Sequence, residues 1–328
     1  MAKMEYSVVE GWEQLPKNFV HRDVAGVACD GEDRVYLMCR GDHPVLVYDQ
    51  KGNFIRNWGE GDFSYRTHGI YVGPNGTLFC TDDGQHTVRQ FTPEGKLLMT
   101  MGTKNTPSDS GYDGKNLDTI KRGAGPFNRP TNLAIGAKGQ IYITDGYGNA
   151  RVHIFDAKGN HQRSWGEPGD GPGQFRLPHG IAVDKEGKVY VCDREADRIQ
   201  IFSPDGEFLS EWRDTQRPTH LCFDSQGRAY VTELAWHEGD KSYSSLGKIE
   251  KGKARHARMS IYDKNGKLVL RWGTPQVTEP GSFAAPHGLA LDSKGDLYVS
   301  EVTWTFAVSR GRAPDDCHTF QKFSLKIS

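Results

Sequence analysis

No stretch of this sequence reaches the roughly 18 consecutive apolar residues needed to cross a bilayer, and its opening, MAKMEYSVVEGWEQL, holds no apolar core of the length a secretory leader requires. A soluble, cytoplasmic protein with no membrane partner is the expectation. Charge of one sign is also missing. Lys plus Arg is 41 and Asp plus Glu is 42, a formal net charge of −1, with no long block of either sign; nucleic acid is therefore not expected as a partner. The six cysteines include no CxxC pair, and Cys29, Cys80, Cys192 and Cys222 fall inside expected strands. That pattern points to reduced core thiols rather than a disulfide framework.

What the sequence has is glycine and aromatics: 39 Gly, 13 Tyr, 15 Phe and 7 Trp in 328 residues, a composition suited to many short strands joined by tight turns. It is also repetitive. The segment PHGIAVDKEGKVYVCDREADRIQIFSPDGEFLSEW (178–212) reads as strand, Gly turn, strand, polar loop, strand, Asp-Gly turn and a last strand ending in Trp. Copies of it lie near 24–59, 67–103, 130–166, 178–214, 218–273 and 286–328, the fifth interrupted by an insertion around 235–257. Units of this period, each of four antiparallel strands, close radially. The reading is an all-β, six-bladed β-propeller spanning 1–328 as a single domain. Its sixth copy lacks an outer strand ending in Trp, and residues 5–13, EYSVVEGWE, are expected to supply it and close the ring.

Counting back eight positions from the first turn of each blade reaches the residue that opens its innermost strand: Ala25, His68, Thr131, His179, Thr219 and His287. Innermost strands line the axis. Histidines on alternate blades therefore form a ring of near three-fold symmetry, and three imidazoles can converge on one point. Three neutral His ligands with a fourth position open are the donor set of a catalytic zinc, whose bound water has a pKa of about 7. Copying of a PHG turn by duplication is the competing account, but it does not explain why the blades between carry Ala or Thr. His220 stands one register step off this ring and is expected to be structural.

The second strand of each blade returns to the histidine face, so the loops that follow it surround the site. Arg40, Tyr147 and Arg194 lie one or two residues past those strand ends. An arginine beside a phenol favours phenolate, and a guanidinium fork clamps a carboxylate, so the trio suggests a base and an anion clamp; ion pairs of the arginines to Asp82, Asp145 or Asp193 are the bland alternative. Asp145, Asp193, Glu233 and Glu301 recur at one repeat position and read as hydrogen-bonding acids between blades. The insertion 235–256 and the loop 303–318 are expected over the same face, with Trp236, His237, Trp304 and Arg310 at the substrate entrance.

The repeat resembles the NHL repeat over nearly the whole chain. More specifically, FNRPTNLAIGAKGQIYITDGYGNARVHIFDAKGNHQRSWGEPGDGPGQFRLPHGIAVDKEGKVYVCDREADRIQIF (127–202), CRGDH (39–43), THG (67–69) and APHG (285–288) resemble the site motifs of peptidyl-α-hydroxyglycine α-amidating lyase. The resemblance implies a small-molecule substrate: a carbinolamide, R-CO-NH-CH(OH)-COO⁻, cleaved to an amide and glyoxylate. It also implies zinc on His68, His179 and His287, Tyr147 as base, and Arg40 and Arg194 as active-site arginines. The chain departs from the family at Ala285, where a Met is usual, at Gly288, where an Asp helps hold a structural calcium, and at Gly148, where secreted animal enzymes carry a disulfide Cys. Zinc is accordingly the expected cofactor; calcium stays open but lacks the Asp ligand at Gly288, and a peptide-hormone substrate is not expected. A zinc hydrolase of an ester, lactone or amide, and a non-enzymatic binding propeller, remain as alternatives; no obligatory protein partner is evident in the sequence.

Overall fold

A computed structural model describes residues 4–241 and 252–327. The described residues form six four-stranded antiparallel sheets, whose innermost strands are Asp23–Cys29, Thr67–Val72, Pro130–Ile135, Pro178–Val183, Pro218–Phe223 and Pro286–Leu291. Each innermost strand contacts the next, and the sixth contacts the first. The chain is a six-bladed β-propeller. No helix among the described residues is long and apolar enough to cross a membrane.

The alternation of the strands explains the core. Successive side chains point to opposite faces of a sheet, and in a propeller both faces are covered by neighbouring blades. The apolar clusters accordingly lie between blades: Tyr36, Val45 and Trp58 of blade one pack on Ile70, Leu78 and Phe91 of blade two, and the series ends with Ala290 and Tyr298 of blade six against Val24, Val35 and Tyr48 of blade one. Each large apolar side chain fully buried there contributes about 1.5–3 kcal/mol. All six thiols are free.

The N-terminal segment closes the ring as expected, with a shorter strand. Met4–Val8 pairs antiparallel with Phe320–Ile327, Met4 opposite Ile327 and Val8 opposite Phe323, and Gly11 at φ +64° then turns the chain. Trp12 thus lies beyond the strand rather than ending it, yet it fills the place of the strand-ending tryptophans. A Cβ on Gly95 would lie 2.7 Å from the Trp58 ring, and one on Gly52 would lie 1.8 Å from the Trp12 carbonyl oxygen and 3.0 Å from its ring. The Trp12 ring also packs against Tyr298, Phe320 and Tyr48 at 5.2, 5.7 and 5.9 Å, which locks blade six to blade one.

Candidate metal centre

Each of the three ring histidines is followed by glycine, and that dipeptide builds the site. A Cβ on Gly69 would lie 2.9 Å from the Thr131 carbonyl oxygen, one on Gly180 2.5 Å from that of Thr219, and one on Gly288 3.0 Å from the Gly26 Cα. Glycine therefore lets the next innermost strand approach. The register shifts at the same places, between Thr67 and Ile70, Pro178 and Ile181, and Pro286 and Gly288; such bulges re-aim side chains.

The close approach gives each imidazole a fixed acceptor. His68 Nδ1 donates to Thr131 O at 2.7 Å, His179 Nδ1 to Thr219 O at 2.6 Å and His287 Nδ1 to Ala25 O at 2.7 Å. These are the non-histidine members of the ring, so the intervening blades supply the second shell. A carbonyl only accepts, so each Nδ1 carries the proton and each Nε2 presents a lone pair. The ring centroids stand 4.7 Å apart pairwise, and one ligand atom from each lies within 4.8 Å of the others. Burial, and behind it the neighbouring histidines and the Arg40 and Arg194 guanidinium groups, holds all three imidazoles well below their ordinary pKa. They are neutral, as ligands must be.

Tyr147 joins them. Its hydroxyl lies 3.3 Å from His68 Nε2 and 3.1 Å from His179 Nε2, while the buried His287 Nε2 has no partner among the described residues. Arg194 Nη1 donates to the same oxygen at 2.9 Å, which turns the phenolic proton toward the imidazoles. Gly146 and Gly148 hold Tyr147 there: a Cβ would meet Pro178 O at 2.1 Å in the first and Asn128 Oδ1 at 2.2 Å in the second.

Arg40 takes another partner than those expected. It pairs with Asp23 at 3.3 Å and donates to Thr67 O at 3.2 Å, because Asp23 lies directly opposite it in the blade-one sheet. Asp145, Asp193, Glu233 and Glu301 accept backbone N–H groups of Asn128, Leu177, Gln216 and Ala285 respectively, at 2.8, 2.9, 2.6 and 2.9 Å. They tie down the loop that leads into each blade. His220 turns away from the triangle to Asn132, Nδ1 to Nδ2 2.6 Å, and burial pushes its pKa down to about 4.

The outer loops split the expected entrance. Trp236 is fully buried; its Nε1 donates to Asp197 at 3.0 Å and Arg217 covers its ring at 4.3 Å, so it wedges the insertion in place and is closed to a substrate. Trp304 lies under Arg22 at 4.4 Å and lines a separate cavity of about 530 Å³ with Leu15, Phe19 and His318. His237 is half-buried, and burial, with Arg312 behind it, lowers its pKa. Arg310 lies over Phe306 at 4.7 Å. Lys241 of the insertion pairs with Asp118 in the connector between blades two and three at 2.6 Å; residues 242–251 of that insertion lie outside the described residues.

Sequence reasoning missed Glu195, which joins Arg194 at 2.8 Å to Arg217 at 2.7 Å; these two guanidinium groups outweigh its burial and lower its pKa, so it is a carboxylate. It also missed Arg66, whose guanidinium lies 5.7 Å from the Tyr147 ring and pairs with the buried Asp83 at 3.0 Å. A signal existed. The residue before each innermost strand is Arg22, Arg66, Arg129, Leu177, Arg217 or Ala285, four arginines in six places.

The donor set of three neutral imidazoles, one with an orphaned buried Nε2, fits zinc. Gly288 offers no side-chain oxygen and has no room for one, since its Cβ would also meet Ser300 Oγ at 2.7 Å.

Comparison with known proteins gives a consistent picture. A family described as a 6-bladed beta-propeller matches residues 126–269. The human NHL repeat-containing protein 3 is 30% identical over 314 residues, covering 92% of this chain and 82% of its own. A probable peptidyl-α-hydroxyglycine α-amidating lyase of Caenorhabditis elegans is 31% identical over 265 residues, covering 79% of this chain and 67% of its own. Among solved structures, virginiamycin B lyase from Staphylococcus aureus superposes with a TM-score of 0.59 at 12% identity over 99% of both chains, a likeness of fold.

Proposed function

The chain belongs to the NHL-repeat six-bladed β-propellers, and from that premise we propose that it is a zinc-dependent lyase acting on a carbinolamide of the N-acyl α-hydroxyglycine kind or a related small hydroxy compound. One observation carries the reading: three imidazole lone pairs, a phenol and a guanidinium meet at one point. Similarity to proteins named as amidating lyases supports the reaction class.

His68, His179 and His287 would hold the metal through Nε2. When bound, zinc supplies Lewis acidity toward an oxygen of the substrate. Tyr147 Oη would act as the base that accepts the proton of the substrate hydroxyl. The O–H electron pair becomes the second bond of the glyoxylate carbonyl, the C–N bond breaks, and Tyr147 returns that proton to the departing nitrogen. The products are R-CO-NH₂ and OHC-COO⁻, with all atoms accounted for. Arg40 offers a fork for the carboxylate, and Arg194 fixes the phenol.

The test is metal content of the untagged protein by mass spectrometry, with His68→Ala, His179→Ala and His287→Ala beside it, followed by glyoxylate release from N-benzoyl-α-hydroxyglycine. About one zinc per chain, lost in each variant, together with glyoxylate, is the expected result. Hydrolysis would instead place ¹⁸O from labelled water in the acyl product. The human relative's name assigns no reaction, which favours a second reading, a propeller that binds without catalysis; no metal after zinc incubation would move that reading first.

A further inference from the structure

Four guanidinium groups crowd one side of the mouth. Arg194, Arg217 and Arg310 lie 5.8, 5.7 and 4.7 Å from the Phe306 ring, and Arg312 adjoins them through Asp240, which it meets at 2.8 Å and which lies 3.9 Å from Arg217. Among the described residues two carboxylates answer them, Glu195 and Asp240. Four positive charges against two negative leave two over, in a protein whose formal net charge is −1.

Arg310 is the clearest surplus. Its Nε donates to the Thr305 carbonyl at 3.2 Å, and among the described residues it forms no ion pair. Partial burial, then Arg312, Arg217 and Arg194, lower its pKa against the pull of Asp240. The Arg217 Nε–H beside it is buried and meets no acceptor among the described residues. Like charges so gathered repel unless an anion stands between them.

The α-carboxylate of the substrate class proposed above is met by Arg40, which stands outside this group of four, so the surplus beside Phe306 is still unmatched. We infer that the mouth beside Phe306 is a second anion subsite, in which Arg310 and Arg217 receive a carboxylate at the far end of the acyl group, and that the substrate is a dianion. Phe306 gives that acyl group an apolar floor. The inference rests on the lyase reading for the substrate, but the subsite can be tested without turnover.

The zinc-loaded full chain is assayed on N-benzoyl-α-hydroxyglycine and on its 4-carboxybenzoyl counterpart, in the parent and in Arg310→Gln. A preference of about tenfold or more in kcat/KM for the dianion, falling to about one in Arg310→Gln, is expected for a charge-assisted contact. Arg129→Gln removes a charge from the same mouth, over Tyr112 rather than Phe306, and keeps the ratio. Equal rates on both substrates in the parent, or a preference that survives Arg310→Gln, overturn the subsite. Calorimetry with terephthalate and benzoate separates the two levels. If neither carbinolamide is cleaved but terephthalate binds more tightly in an Arg310-dependent way, the subsite stands and the lyase reading falls; equal binding of the two acids, in a protein that cleaves neither substrate, removes both.

Discussion

Arg194 and Tyr147 stand in equivalent loops of neighbouring blades and meet across 2.9 Å, Nη1 donating to the phenolic oxygen. That oxygen also lies 3.1 Å from His179 Nε2, so one hydroxyl touches both the cation and a ligand. Tyr147→Phe removes it and leaves the ring in place. Retained zinc with glyoxylate release reduced by about 10²–10⁴ is expected for loss of a general base; unreduced release would remove Tyr147 from the reaction.

The loop carrying Tyr147 tolerates no side chain at Gly146, where a Cβ would lie 2.1 Å from the Pro178 carbonyl oxygen. Backbone cannot yield as a flexible side chain can. Gly146→Ala should lower stability by about 1–3 kcal/mol in urea denaturation and reduce turnover along with it. An unchanged midpoint would mean that the two blades are not held as described.

Zinc should stabilise the fold without any substrate. Without metal, His287 Nε2 is buried with no partner among the described residues. Free zinc at about a thousand times its Kd should add about 4 kcal/mol to unfolding, and chelation should remove the gain. A melting temperature indifferent to zinc and chelator would contradict the site.

His318 gives a pH signature outside the metal centre. Its burial opposes protonation, but Glu301 at 3.0 Å outweighs burial and raises its pKa. A raised folded-state value means that the contribution is full below the unfolded imidazole value of about 6.5 and is lost as pH rises through the higher folded value. Melting curves taken from slightly acid to alkaline pH should therefore show the parent losing stability relative to His318→Gln. Parallel profiles would refute the pairing.

Ring closure rests on Trp12 as much as on the terminal strand. Its ring lies within 5.9 Å of Tyr48, Phe320 and Tyr298, and its Nε1 donates to Gln50 O at 3.1 Å. Trp12→Ala should cost about 3–5 kcal/mol in chemical denaturation. A cost typical of a surface site would show the closure to be carried by Met4–Val8 alone.

Much of the site was legible because repeats convert sequence offset into position. His68, His179 and His287 share one offset from their turns, so radial closure brings them together whatever the loops do. Tyr147 and Arg194 shared a loop class for the same reason. Glu195 was not legible: its value lies in joining Arg194 to Arg217 of the next blade, and a carboxylate in a polar loop carries no mark of that.

The sequence by itself determined the six blades, the closing N-terminal segment and the convergence of three histidines, since period, turn glycines and alternation are local properties that repeat. Tertiary structure alone decided that Arg40 answers Asp23, that Trp236 is buried under Arg217, that the blade-five insertion reaches Asp118, and that four guanidinium groups gather beside Phe306. Apart from Arg40 with Asp23 and Trp236 with Arg217, each pair within one blade, these contacts join different blades or the loops between them. Which side chains meet there depends on how loops of unlike length fold over the closed ring, a balance of packing and charge that no offset encodes.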